Sequence, residues 1–285
     1  TYEHNVDLHH LFIDFRQAYD SIIRSQLYED LKRLGIPKKL IRLVTMTLKS
    51  TTCRVKVMGS LAESFPVVTG LRQGDPLATT LFNFAMESIL RNIRTNPGGT
   101  IYSRLTQHLA YADDVDIMAR TVPALSGAVE EFENAALVRG LRMNEGKTVY
   151  MKTSRNPPPP QSSFCIGQHS FPVCNQFKYL GALVTNNNDV ATEIRARINA
   201  GSRCFWAVQK ALKFRGLSRR AKLVIYKTVI RPVVTYGSES WVLTTASERL
   251  LNCWERKILR KIFGPVCEDG RWRVRNNEEL RRLYM

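Results

Sequence analysis

Tyr111-Ala112-Asp113-Asp114 sets two adjacent carboxylates between an apolar arm, Leu109-Ala110, and an alternating one, Val115-Asp116-Ile117-Met118-Ala119. Apolar arm, acidic tip and alternating arm make the pattern of a β-hairpin. Two negative charges held side by side repel each other, and a nearby cation would offset that repulsion. Alone, such a pair reads more often as a solvated turn, where Asp is common. Asp14 offers a third carboxylate at the end of another apolar run, Leu11-Phe12-Ile13-Asp14-Phe15, although a helix cap or a plain strand end would also carry an Asp there. If the two strands are neighbours in one sheet, the three carboxylates meet at one edge. Two magnesium ions roughly 3.5 to 4 Å apart could then clamp an in-line displacement at phosphorus.

Positioning these groups takes a sheet and the helices that back it. Leu27, Leu31 and Leu34 mark one helix face, stopped by Gly35 and Pro37, and a shorter helix follows around Ile41 to Leu48. Cys53-Arg54-Val55-Lys56-Val57 alternates as a half-buried strand, turned by Gly59-Ser60 towards a second strand at Phe65 to Val68. The run Gly70-Leu71-Arg72-Gln73-Gly74-Asp75-Pro76 is a tight loop before a long apolar helix from about Leu77 to Arg94. After the acidic hairpin, Leu125, Val129, Phe132 and Ala136 space a helix closed by Gly140. Sheet follows over Thr148 to Lys152 and Phe177-Lys178-Tyr179-Leu180-Gly181, with an exposed stiff loop at Pro157 to Pro160 between them. From Asp189 on, basic helices are expected over Glu193 to Lys213, Ser218 to Tyr236, and beyond a capping box at Thr245-x-x-Glu248. In that last helix Leu250, Leu251, Trp254, Ile258 and Ile262 form the buried stripe.

With 285 residues and 44% apolar content, the chain can fill one large core or two ordinary ones. No apolar stretch nears the roughly 18 to 20 residues of a membrane span and no signal peptide opens the chain, so no membrane partner is expected. It starts at Thr1 without an initiator Met, and a trimmed or fragmentary product is the expectation. Of the net charge of +17, residues 190–285 hold +13, with 21 Lys and Arg against 8 Asp and Glu. Such a field favours a polyanion, nucleic acid first, because counterion release drives that binding; a solvated helical face is the plainer explanation. The six cysteines show no CxxC pair, so reduced, mostly buried thiols are expected, with neither a zinc site nor a disulfide framework.

Taken in order, these residues resemble the reverse transcriptases, most closely those of non-LTR (LINE-type) retrotransposons, over Leu11 to about Val184. Phe12-Ile13-Asp14-Phe15-x-x-Ala18-Tyr19-Asp20 is similar to the first catalytic palm motif. Leu71-Arg72-Gln73-Gly74-Asp75-Pro76-Leu77 with Leu81-Phe82-Asn83 is similar to the second. The Tyr-Ala-Asp-Asp tetrad stands as the third, Gly140-Leu141-x-x-Asn144-x-x-Lys147-Thr148 as the fourth, and Phe177-x-Tyr179-Leu180-Gly181 as the primer-grip motif. Five motifs in the right order are specific, where any one alone would be weak. The resemblance implies an α+β fold. A right-hand polymerase palm, an antiparallel sheet backed by helices with partial fingers, would occupy residues 1–187, and a basic, all-α, thumb-like region residues 188–285.

The implied activity is RNA-directed DNA synthesis, with an RNA template, a DNA primer and deoxynucleoside triphosphates as partners. Its cofactor would be two Mg2+ ions, with Mn2+ as the alternative, and its setting intracellular and nuclear. Asp14 and Asp113 would bind both ions, Asp114 would support them, and the Phe15 carbonyl would be an extra ligand. Tyr19 would lie beneath the sugar and exclude a 2′-hydroxyl. Gln73 and Gly74 would approach the incoming nucleotide and template, glycine permitting the close backbone contact. Lys147 would protonate the departing pyrophosphate as a general acid. Tyr179, Leu180 and Gly181 would hold the primer strand near the metals.

The sequence departs from the family at Ala78-Thr79, where Ser-Pro usually follows Pro-Leu. Most of the fingers region is also expected to be missing, since only 13 residues precede Asp14; weak or no polymerisation by the isolated piece follows. Two rivals stay open: an inactive or repurposed remnant that only binds nucleic acid, and a viral RNA-dependent RNA polymerase, which the alanine of the tetrad and Tyr19 disfavour.

Overall fold

The computed structural model describes residues 5–94, 107–156 and 162–284, so the Pro157–Pro160 loop expectation lies outside the described residues. The chain divides into two compact units, Thr1–Phe177 and Lys178–Met285.

In the first unit a four-stranded sheet runs in the spatial order His108–Tyr111, Asp114–Ala119, Leu8–Ile13, Val149–Thr153, every pairing antiparallel. Side chains alternate between faces along each strand. Leu11, Ile13, Val115, Ile117 and Tyr150 therefore share one face and enter the main hydrophobic core. Helices Pro76–Leu90 and Val122–Val138 cover that face with Leu81, Phe82, Ala85 and Ile89 from the first, and Leu125, Val129, Phe132 and Ala136 from the second. Both helices start in the same way. A side-chain cap, Asp75 or Thr121, accepts an amide hydrogen bond, and Pro76 or Pro123 occupies the first turn, where a missing N–H costs nothing. The opposite face carries His10, Phe12, Asp114 and Asp116, with Phe177 stacked on Phe12 at a ring distance of 4.2 Å.

Helix Arg24–Arg33 buries Leu27, Leu31 and Asp30. Asp30 receives a bidentate bond from Arg139 at the end of the Val122–Val138 helix, at 2.7 Å on each arm. The 52–66 segment is not the half-buried strand pair its alternation suggests. It forms two short ladders, Thr52–Cys53 with Phe65–Pro66 and Lys56–Val57 with Ser60–Leu61, and every one of those residues is exposed. Alternation gives the pleat, but among the described residues no other element lies over this hairpin to bury one side of it. Arg24 pins its two ends by donating to the carbonyls of Leu48 and Val67.

The hairpin of Gln176–Tyr179 and Ala182–Thr185 crosses the division, with Gln176 and Phe177 in the first unit and Lys178 onward in the second. Helix Val190–Ala207 follows, and after a one-residue break at Val208 comes Gln209–Lys213. The expected Ser218–Tyr236 helix is continuous in course but not in kind, with α-helix over Arg219–Ile225 and Arg231–Thr235 and a π-helical turn over Tyr226–Ile230. Pro232 has no amide to give the Thr228 carbonyl, which accounts for the widened turn. Helix Thr245–Phe263 is capped by Thr244, one residue before the expected Thr245, and Ile258, Leu259, Ile262 and Phe263 are its buried apolar residues, with Leu250 exposed. Its stripe packs with Phe205, Leu212, Tyr226, Ile230 and Leu280 into a second core. The unit is not all-helical. Val266–Glu268 and Arg271–Arg273 pair as a small hairpin before helix Asn277–Tyr284.

The six cysteines are free, and none is fully buried; Cys53, Cys165, Cys253 and Cys267 are exposed. Cys53 lies in the open hairpin and Cys165 on the outer side of an alternating strand, so both follow the solvent side of their elements. Among the described residues no helix is long and apolar enough to cross a membrane.

Candidate active site

The acidic tetrad is a two-residue hairpin turn. Tyr111 pairs with Asp114, and Ala112 takes φ 53 between them. Ile13 pairs with Val115 on the neighbouring strand, so the next step of the register sets Asp14 across from Asp114. Asp14 and Asp114 also share the face turned away from the core, because each stands one residue from a core-facing partner. The edge predicted from sequence is therefore built by the pairing of two strands about a hundred positions apart.

Its electrostatics follow from that crowding. Burial raises the Asp114 carboxyl above its ordinary pKa of 3.8, and the charges of Asp113 and Asp14 raise it further. The donor set is all carboxylate oxygen, the chemistry that suits Mg2+, and a divalent cation would relieve the repulsion that lifts Asp114. The edge is nonetheless not a closed cage. Among the described residues no group of three His, Cys, Asp or Glu side chains is gathered tightly enough to hold an ion. Mutual repulsion opposes such gathering, and one Asp14 oxygen is already engaged by Asn144 Nδ2 at 3.3 Å.

Asp14 is held from below by the 140–148 segment. The Asn144 amide donates to the Asp14 carbonyl at 2.8 Å, the Arg16 amide donates to the Arg142 carbonyl, and the Asp14 amide donates to Thr148 Oγ1 at 3.2 Å. Phe15 bridges Met143 in the same ladder, and its ring stacks on Phe132 in the core. In this antiparallel pattern the bonds are made by Asp14 and Arg16, so the Phe15 carbonyl is directed away from the 140–148 segment. Asn144 and Thr148 stand in the fourth motif, yet their role as braces of Asp14 was not legible in the sequence. Lys147 lies exposed in the turn that Asn144 closes, its amide donating to the Asn144 carbonyl, and no ion pair joins it to Asp14 or Asp113.

Tyr19 stacks on Phe82 at 4.6 Å and is half-buried against the core. Its carbonyl accepts from the Leu71 amide, which fixes the 70–76 loop beside it. Gln73 Nε2 donates to Asp20 at 3.5 Å, a partner the sequence did not suggest. Gly74 takes φ 86 with open space where a Cβ would stand, so the turn itself, not close packing, requires glycine there. On the carboxylate face, two residues inward from Asp114, Asp116 is buried and bonded to His10 Nδ1 at 3.0 Å, and burial raises its pKa. Tyr179, Leu180 and Gly181 belong to the second unit. There the hairpin backbone is bonded to later side chains: the Leu183 amide donates to helical Glu193, and Tyr236 Oη, one residue past the Arg231–Thr235 helix, donates to the Leu180 carbonyl. The unit boundary at Phe177 thus precedes the compositional one at 187 because those bonds tie the hairpin to the helices that follow it.

A sequence model of the family described as "Reverse transcriptase (RNA-dependent DNA polymerase)" matches residues 3–184. The retrovirus-related Pol polyprotein from type-2 retrotransposable element R2DM of Drosophila melanogaster is 26% identical over 259 residues, covering 87% of this chain and 24% of that protein. The probable RNA-directed DNA polymerase from transposon X-element of Drosophila melanogaster is 25% identical over 291 residues, 96% of this chain and 30% of that protein. Among solved structures, apo telomerase from Candida tropicalis superposes with a TM-score of 0.48 at 14% identity, over 90% of this chain and 46% of that one. The chain thus spans about a quarter of the length of the R2DM polyprotein it matches.

Proposed function

The chain belongs to the reverse transcriptase family, and from that premise we propose that it extends a DNA primer on an RNA template. The observation that supports this reading most strongly is the register that sets Asp14 across from Asp114 at the edge carrying Asp113. In the proposal, residues 1–187 form the palm with partial fingers and residues 188–285 are thumb-like.

The reaction joins the primer 3′-oxygen to the α-phosphorus of a deoxynucleoside triphosphate and breaks the bond to the β-phosphate, releasing pyrophosphate. Two magnesium ions, when bound, supply the lowered pKa of the 3′-hydroxyl and the neutralisation of the leaving group. Asp14 and Asp113 would hold them, with Asp114 in support and the Phe15 carbonyl as a further oxygen. Asn144 and Thr148 keep Asp14 in place. Tyr19 would stand under the sugar, Gln73 and Gly74 against the incoming base pair, Lys147 would give a proton to pyrophosphate, and Tyr179, Leu180 and Gly181 would hold the primer.

The test is elongation of a labelled DNA primer annealed to RNA, with deoxynucleotides and magnesium. Elongation is expected from this chain or from a longer polypeptide that contains it, and failure of both would reject the reading. The net +13 of residues 190–285 favours a second reading, nucleic-acid binding without synthesis. In that case duplex affinity would fall steeply with salt yet be indifferent to magnesium and to Asp14→Asn.

A further inference from the structure

The Tyr179-Leu180-Gly181-Ala182 turn adopts a backbone that its own sequence does not favour. Leu180 takes φ 47 and Gly181 φ 86, both in the left-handed region. Two positive φ values in a two-residue hairpin define a type I′ turn, which prefers Asn-Gly, Asp-Gly or Gly-Gly. A leucine in the first position is an outlier that persists only where its surroundings over-determine it.

Those surroundings are three side chains of the same unit. Tyr236 Oη donates to the Leu180 carbonyl at 2.7 Å, and Arg197 Nη2 donates to the Gly181 carbonyl. The Arg197 guanidinium lies over the Tyr236 ring, 4.6 Å from its centroid. Glu193, buried at 6% exposure, takes Arg197 Nε on one oxygen at 2.6 Å and the Leu183 amide on the other at 2.9 Å. Glu193 and Arg197 stand four apart on the Val190–Ala207 helix, so they share a face, and its cap, Asp189, starts the helix just after the hairpin. Every bond joins a side chain from outside the hairpin to hairpin backbone or braces one that does, Glu193 and Arg197 from the helix and Tyr236 from just past the Arg231–Thr235 helix. The arrangement therefore fixes the shape of the turn without depending on the side chains the turn presents.

We propose that Glu193, Arg197 and Tyr236 are positioning residues that clamp the Leu180–Gly181 turn in the shape that seats the primer 3′ terminus. This rests on the primer-grip reading of Tyr179, Leu180 and Gly181. None of the three touches the primer; they act through the turn. The two carbonyls are tied back to Tyr236 and Arg197, and the turn offers its exposed edge, with Leu180 at 37% exposure, to a strand end.

The test uses the whole chain and a DNA primer annealed to RNA, with 2-aminopurine as the last primer nucleotide. Duplex affinity is read by anisotropy, 3′-end placement by 2-aminopurine fluorescence, and folding by a melting curve. Tyr236→Phe removes one hydrogen bond and keeps the ring over Arg197. We expect about a fivefold loss of duplex affinity and a reduced 2-aminopurine response, the scale of one such bond. Affinity for single-stranded RNA and the melting temperature should be unchanged. Arg197→Lys, which keeps the charge but not the fork, should act in the same direction, and Tyr284→Phe, whose hydroxyl accepts from exposed Arg231, should have no effect. Gly181→Val breaks the turn directly, since its φ is 86 and its Cβ would lie 3.4 Å from the Tyr236 ring. If Gly181→Val lowers both signals while Tyr236→Phe and Arg197→Lys leave them at wild type, the clamp is wrong. If Gly181→Val leaves both signals unchanged, the primer-grip reading falls and the clamp with it. Parallel loss of single-strand affinity and melting temperature in the clamp variants would show a merely structural role and also overturn the proposal.

Discussion

Arg139 and Asp30 tie the end of the Val122–Val138 helix to the Arg24–Arg33 helix, one residue before the 140–148 segment that braces Asp14. Arg139 Nε and Nη2 each meet an Asp30 oxygen at 2.7 Å, and Arg139 Nη1 also donates to the Ala135 carbonyl. The side chains are 5% and 2% exposed, so water cannot replace either partner. Arg139→Ala strands a carboxylate in the interior, a change that typically costs about 3–5 kcal/mol, against a total of about 5–15 kcal/mol for a whole domain. Asp30→Leu with Arg139→Met removes both charges, and with them the desolvation cost. That double variant should return to within about 1–2 kcal/mol of wild type, with the two sites coupled by about 2 kcal/mol or more. Urea unfolding followed by far-ultraviolet circular dichroism, with hydrogen exchange at Leu11 and Ile117, reads the first unit. All four tryptophans, Trp206, Trp241, Trp254 and Trp272, lie in the second unit, so their fluorescence reports that unit separately. A loss below about 1 kcal/mol for Arg139→Ala, or additive effects in the double variant, would refute the reasoning.

Asn144→Ala removes the brace at 3.3 Å on the Asp14 carboxylate while the backbone bond survives. A loss of about 1 kcal/mol should slow nucleotide addition about fivefold in single-turnover extension, without changing duplex affinity; an unchanged rate would count against it. His169 bridges Glu133 and Glu145, each at 3.0 Å. Burial alone would lower its pKa, but the bonds to Glu145 and Glu133 outweigh it and lift the pKa above the ordinary 6.5. Its stabilising contribution is therefore complete below about pH 6.5 and lost as pH rises through the raised folded value. The urea midpoints of wild type and His169→Gln should differ more at pH 6 than at pH 8.5, and a pH-independent gap would show that the bridge does not act through charge. Tyr19→Ala, by removing the ring stacked on Phe82, should raise ribonucleotide use relative to deoxynucleotide use about tenfold or more in competitive extension, about 1.4 kcal/mol of discrimination. An unchanged ratio would return Tyr19 to the role of a core aromatic.

What the sequence made legible was local. The acidic hairpin, the Asp14 strand and the helix carrying Leu125, Val129, Phe132 and Ala136 each announce themselves within a dozen residues through period 2 or 3.6. The bonds from Asn144 and Thr148 to Asp14 join residues 130 or more positions apart, and no local pattern encodes them. The same holds for the Tyr236 bond to Leu180. The 52–66 hairpin misled because alternation reports pleating, whereas burial depends on what packs above. A local signal also marks the last hairpin. Asp269-Gly270 between Glu268 and Arg271 is a strong two-residue hairpin signature, and φ values of 50 and 77 confirm that turn inside a region read as helical. Thr244 and Thr245 are both adequate caps, and only the bond from Ser247 N to Thr244 Oγ1 separates them.

The carboxylate edge itself is tested most directly by single-turnover addition of one deoxynucleotide to a DNA primer on an RNA template in magnesium, comparing wild type with Asp113→Asn. We expect addition by this chain or by a longer polypeptide that contains it, and in that same protein a loss of about 10³-fold or more in the variant, about 4 kcal/mol of lost transition-state stabilisation. A variant within tenfold of wild type, at equal duplex affinity and equal melting temperature, would contradict the assignment of Asp113 as a metal-holding carboxylate.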